Sequence, residues 1–245
     1  MSTKLLSIDT NAKTVKGQKQ GYLTGILYMA PSDISGVNLC PMAKIAQCEK
    51  ACLYTAGRGA FNNVQQARIR KAHWFNTDRE GFMRQLVLDI QALQKKANKL
   101  GLIPLVRLNG TTDIRYESIR FTLPGKLAMV TIFELFPEIQ FYDYTKIANR
   151  KDLPANYDLT FSYSGVKAFQ IHAYKALANG LRLAVVFDKA LPEEFLGLPV
   201  IDGDQSDIRH LDPKRCIVGL KAKGKAKNDN SGFVVRFPMF TFKVI

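Results

Sequence analysis

Apolar and polar positions along the chain follow two periods, a strand-like one and a helix-like one, which alternate. Leu23-Thr-Gly-Ile-Leu-Tyr-Met29 is a β-prone run. After Gly57-Arg58-Gly59, the Asn62-Asn63 cap signal opens a helix expected to reach about Asn76. Thr77-Asp-Arg-Glu80 has the capping-box pattern, and Phe82, Leu86, Ile90, Leu93, Ala97 and Leu100 follow at helical spacing until Gly101 stops the run. Leu102 to Leu108 returns to strand character, Lys126 to Leu135 reads as a helix, and Ile139 to Tyr144 and Tyr157 to Tyr163 read as strands. Phe169 to Ala178 is helical before Gly180, and Leu181 to Phe187 is a strong buried-strand signal. Val200 to Asp202, Cys216 to Leu220 and Phe233 to Phe237 are the last expected strands. Strands separated by helices call for a mostly parallel α/β sheet with right-handed crossovers. The first twenty residues and Lys221 to Asn230 look linker-like, which divides the chain into an N-terminal extension (1–20) and a single α/β domain (21–245).

Length and charge narrow the class. A chain of 245 residues can bury a full core. A formal net charge of +14 attracts polyanions, which makes nucleic acid, a nucleotide or an acidic host protein the candidate partners. No apolar stretch is long enough to cross a membrane and the start lacks a secretory h-region, so a cytoplasmic protein is expected. With three histidines and no phosphate-binding glycine loop, hydrolase and kinase readings have no support.

Candidate chemistry begins with the cysteines. Three of the four fall in Cys40-Pro-Met-Ala-Lys-Ile-Ala-Gln-Cys48-Glu-Lys-Ala-Cys52. Clustered thiols in a reducing compartment are more often a ligand set than a disulfide pair, and three thiolates suit an iron–sulfur cluster, with zinc as the alternative metal. The spacing lacks the second distant hook of ordinary structural zinc sites, which makes an open [4Fe-4S] cluster the leading expectation. Cys216 is a candidate fourth ligand, although its strand also suits a small core residue; His73, His172 and His210 are remote in sequence.

Polar residues gather where the expected strands end, which is where parallel α/β folds place their ligands. These are Arg107, Asn109, Thr111 and Asp113; Tyr142, Asp143 and Lys146; Ser162; Asp202 and Asp204; and Lys221 and Lys223. Arg58, beside the last loop cysteine, is a further candidate, suited to a reduced cluster or an anion. Lys221, Lys223, Lys225 and Lys227 alternate, and on an extended segment would track a phosphate backbone. Asn109-Gly110 and Asp202-Gly203 are also ordinary turn pairs.

Across nearly the whole chain the sequence resembles a family of uncharacterised bacteriophage proteins named for a mycobacteriophage gene 88 product. Gly21 to Tyr28, Asn38 to Pro41, Cys48 to Gly59, Val106 to Gly110, Phe141 to Lys146, Val200 to Asp204 and Ile217 to Gly224 carry the resemblance. It implies a phage origin, hence the cytoplasm of an infected cell, and supplies no activity. More remotely, a cysteine loop after the first strand resembles radical S-adenosylmethionine (SAM) enzymes. That resemblance implies a partial (β/α)6 TIM-like barrel, with Cys40, Cys48 and Cys52 on three irons, SAM on the fourth, and Asn109, Thr111 or Asp113 gripping its amino group. The spacing departs from Cys-x3-Cys-x2-Cys, Ala51 replaces the aromatic residue before the last cysteine, and the Gly-Gly-Glu sequence is missing. The resulting expectation is an iron–sulfur enzyme acting on a small molecule or a nucleic-acid base. The alternative is a nucleic-acid- or host-protein-binding protein with a structural or redox-sensing metal.

Overall fold

The structure is a computed structural model that describes residues 4–8 and 12–236. Its strands are β1 (Leu6–Ile8), β2 (Tyr22–Leu27), β3 (Ile103–Arg107), β4 (Phe121–Thr122), β5 (Met129–Val130), β6 (Gln140–Thr145), β7 (Tyr157–Ser162), β8 (Arg182–Phe187), β9 (Glu194–Phe195), β10 (Leu198–Asp202) and β11 (Ile217–Lys221). Its α-helices are α1 (Ala12–Gln18), α2 (Asn62–Thr77), α3 (Arg79–Leu100), α4 (Ile132–Leu135) and α5 (Gln170–Ala178). Nine strands form one sheet in the order β1-β2-β3-β6-β7-β8-β11-β10-β9, and β4 pairs with β5 apart from it. The run from β2 to β10 is parallel throughout, while β1 and β9 are antiparallel edges. The sheet is open, with no pairing between its edges among the described residues, and no helix there is long and apolar enough to cross a membrane.

Alternating residues divide the sheet into two faces. Leu23, Leu27, Val106, Phe141, Leu159, Phe161, Leu183, Val185 and Ile217 look toward the helices. Against β2 and β3 lies α3, with Phe82, Met83, Leu86, Val87, Ile90, Leu93 and Ala97 buried. Each large apolar side chain removed from water this way contributes about 1.5–3 kcal/mol. The approach is close at Gly25, where a Cβ would stand 2.9 Å from Leu93 and 3.1 Å from Leu6. Even an alanine here would force the Leu93 and Leu6 side chains to shift. The other face carries Leu105, Arg107, Tyr142, Ala184 and Val218, covered by the connection between β10 and β11, where Ile208 and Arg209 are buried.

Several expectations change in detail. The long helix is capped by Asp78, whose carboxylate accepts the Gly81 amide; the capping box belongs to Thr131 and Glu134, at the start of the four-residue helix that replaces the one expected from Lys126. Met129 and Val130 are drawn into pairing with Phe121 and Thr122. Leu6–Ile8, within the stretch expected as an extension, pairs with β2, and Leu5 and Leu6 are buried. The stretch read as a linker after Lys221 holds a 3-10 turn, Gly224–Asn228, with Ala222 and Ala226 buried, so its lysines do not alternate along an extended strand. Of the last expected strand, Val235 makes one parallel bridge to Phe187, and Phe237 lies outside the described residues.

Candidate metal centre at the strand ends

The cysteine loop follows β2, and its backbone is fixed to the carboxyl ends of the neighbouring parallel strands. The Gly110 amide bonds Leu27 O, the Thr111 hydroxyl bonds Met29 O at 2.6 Å, the Asp113 amide bonds Leu39 O at 2.9 Å, and the Ser164 hydroxyl bonds Ala46 O at 2.8 Å. Within the loop, the Ser32 hydroxyl bonds the Glu49 carboxylate. These ties bring half-buried Cys40, Cys48 and Cys52 close enough to feel one another's charge. The Cys40 thiol donates to Thr111 O at 3.6 Å and the Cys48 thiol to Ala43 O at 3.8 Å, while the Cys52 sulfur accepts the Tyr54 amide. Burial pushes the Cys40 thiol up to about 12 and raises those of Cys48 and Cys52.

Lys146, just beyond β6, lies near enough to all three thiols for their charges to act on it. Its ammonium donates to Ser162 O at 2.9 Å, Ser162 Oγ at 3.0 Å and Tyr163 O at 3.4 Å, and lies over the rings of Phe169 and Phe233. Cys48 packs against the same Phe233 cluster, with Ala51, Ala222, Ala226 and Val234. Burial lowers the Lys146 proton affinity, and the neighbouring thiols and Asp113 pull it back. No carboxylate among the described residues lies within 4 Å of this ammonium. Asp113 is buried beside it, accepting the Thr145 hydroxyl at 2.8 Å and the Lys146 amide at 2.7 Å, with Arg150 at 3.6 Å. Burial nevertheless raises its carboxyl above the usual range.

The structure divides the other sequence candidates. Asn109 uses its side chain inside its own loop: its Oδ1 accepts the Thr112 hydroxyl and the Ile114 amide, and its Nδ2 donates to Ile114 O. Asp143 accepts the Leu108 and Asn109 amides and the Tyr157 hydroxyl. Arg107 and Tyr142 turn to the other face, where Arg107 pairs with Asp207 at 2.7 Å and lies over the Tyr142 ring. Arg58 is exposed in a 3-10 turn. The arginine whose charge reaches Cys52 is Arg68 of α2, held by Tyr54 O at 3.1 Å and packed on the Tyr28 and Tyr54 rings. Its helical spacing gave no sign of this. Asp202 accepts the Asp204 amide, and Asp204 in turn holds the Lys223 ammonium and the Lys221 amide at the exposed end of β11. Cys216 lies on the other face, its thiol bonded to Pro213 O at 3.0 Å and packed with Ala184 and Val218. His210 is on that face too, against Tyr22 and Tyr142.

Three thiols near one cation suit a soft metal, whose binding releases the thiol protons. Among the described residues, however, no group of three or more His, Cys, Asp or Glu side chains is arranged to hold a metal ion. Two cavities open along the cysteine loop, one of about 260 Å³ lined by Leu39, Pro41, Phe75 and Asp113 and one of about 560 Å³ lined in part by Gln47, Lys50 and Ala51, and no cysteine lines either. No curated protein and no solved structure matches the chain, and the radical SAM resemblance gains no support. The sequence model of the family described as gene product 88 matches residues 4–236, over the segments that carry the phage resemblance, and the chain belongs to that family.

Proposed function

We propose that the protein is an iron–sulfur protein in which Cys40, Cys48 and Cys52 hold a [4Fe-4S] cluster with one iron open, at the carboxyl edge of a sheet that serves as a partial TIM-like barrel, and that it acts on a small molecule or nucleic-acid base in the infected cell's cytoplasm. The observation that carries this reading is the gathering of three thiols, in a chain with four, near the ammonium of Lys146, which forms no ion pair among the described residues. Cys216 lies on the opposite face, in keeping with a cluster held by three cysteines. When bound, the cluster supplies one-electron chemistry and a Lewis-acidic iron. Lys146 and Arg68 set positive charge against the anionic sulfurs, and Phe169 and Phe233 restrict water around Lys146.

Asn109, Thr111 and Asp113 use their polar groups within the protein, so none stands ready for the amino group of SAM. The same observation favours a second reading, a structural or redox-sensing metal whose basic surroundings bind nucleic acid or an acidic host protein. Anaerobic purification with iron, sulfide and zinc analysis, and electron paramagnetic resonance with and without SAM, separates them. About four irons and four sulfides per chain with a signal perturbed by an added ligand is expected. Zinc alone, or a cluster indifferent to every ligand tried, transfers the reading to the binding protein.

A further inference from the structure

The larger cavity is built from two distant parts of the chain, Gln47, Lys50 and Ala51 of the cysteine loop and Lys225 with Asn228 to Ser231. Its volume, about 560 Å³, falls within the range of small-molecule sites, about 300–1,000 Å³. The Ser231 hydroxyl bonds Gln47 O at 3.2 Å and joins the two walls. Asp229 spends both carboxylate oxygens inward, on the Ser231 amide and hydroxyl and on the Val234 amide at 3.0 Å. The side chains of Gln47, Lys50, Lys225, Asn228 and Asn230 form no hydrogen bond or ion pair among the described residues. One opening thus presents two ammonium groups and three carboxamides, while its one carboxylate is occupied.

We propose that this cavity binds a nucleoside monophosphate, with Lys50 and Lys225 on the phosphate and the carboxamides of Gln47, Asn228 and Asn230 on the base. Ammonium groups supply charge-assisted hydrogen bonds to phosphate oxygens. A carboxamide carries a donor and an acceptor side by side, the pattern that base edges present. The site lies along the cysteine loop but draws on none of its thiols, and the inference stands whether or not a cluster is bound.

Titration calorimetry of the full chain with each of the four ribonucleoside 5′-monophosphates tests this, with adenosine, inorganic phosphate and a single-stranded oligonucleotide as comparisons. At least one monophosphate is expected to bind about tenfold or more tightly than either adenosine or phosphate. Lys50→Glu with Lys225→Glu should weaken it by about tenfold or more. Asn228→Ala with Asn230→Ala should narrow the preference among bases while leaving phosphate binding unchanged. Circular dichroism on each variant verifies the fold. No monophosphate binding at millimolar concentration, equal binding of phosphate alone, binding of the oligonucleotide alone, or full affinity in the folded Lys50/Lys225 variant would each overturn the assignment.

Discussion

The buried arginines under the β10–β11 connection and the half-buried lysine beside the thiols are treated in opposite ways. On the face covered by the β10–β11 connection, Arg107 meets Asp207 at 2.7 Å, Arg182 meets Asp158, and Arg209 meets Asp212 at 3.0 Å. Beside the thiols, Lys146 meets two carbonyls and a hydroxyl, with three sulfurs near enough to act on its charge. A buried charge with a carboxylate partner holds the fold in one arrangement; a charge placed against deprotonatable thiols favours their anionic, metal-binding form. The difference separates a structural network from a candidate site, although arginine and lysine looked alike as polar residues near strand ends.

The largest effect is expected from the thiols themselves. Cys40→Ala, Cys48→Ala or Cys52→Ala should abolish iron loading, whereas Cys216→Ala should retain it; full iron in a loop variant would dissolve the contrast between the two regions. Next is the arginine network, where Asp207→Ala removes the near partner of Arg107, leaving Asp143 at 3.9 Å, and should cost about 3 kcal/mol in urea unfolding. That loss should come without impairing the cysteine loop's capacity for iron.

Asp143 tests the boundary between the regions, because it lies 3.9 Å from Arg107 yet organises the loop after β3. Burial pushes its carboxyl up to about 6 from 3.8, against the pull of Arg107 and its hydrogen bonds. The folded state therefore binds this proton more tightly than the unfolded chain. Its contribution to stability is complete below the unfolded value and is lost as pH rises through about 6, with an upper size of about 3 kcal/mol. Urea midpoints of the wild type and Asp143→Asn, measured from pH 4 to 7, should diverge in slope across that window; parallel profiles would place the ionised form in the fold throughout.

The smaller effects refine the Lys146 side. Lys146→Met should change folding stability by less than Asp207→Ala, yet lower the midpoint potential of a bound cluster, because removing a nearby positive charge disfavours the reduced form. An unchanged potential would reduce Lys146 to packing. Lys223→Ala, which removes a half-exposed ion pair to Asp204, should cost about 0.2–1 kcal/mol.

The parallel sheet was legible because the strands from Leu23, Leu102, Ile139, Tyr157 and Leu181 carry dense β-prone runs, and α3 was legible from its apolar stripe up to Gly101. β1, β4, β5 and β9 are two or three residues long, too short for a period to register, and exist through pairing with neighbouring segments, β4 with β5, β9 with β10 and β1 with β2. The thiols and Lys146 were found from residue type and position after a strand. Strand ends alone could not tell which face a side chain takes, which is why Arg107 and Tyr142 joined the same candidate set as Lys146. Arg68 went unnoticed since it reaches Cys52 from the middle of a helix.

The packing of Phe233 and Val234 over Cys48 has a temporal side. The thiols lie near the beginning of the chain, while their cover is fastened by the bonds of Gly165 N to Phe233 O and of Val235 N to Val186 O, near the end. A ribosome delivers residues in order, at about 5–20 per second. Some 180 residues therefore separate the emergence of the cysteines from that of their cover, roughly ten to forty seconds of synthesis during which the thiols stand open to delivery of iron and to oxidants. Metal acquisition during synthesis would meet an uncovered loop; acquisition afterwards would meet thiols already half-buried, Cys48 under Phe233 and Val234.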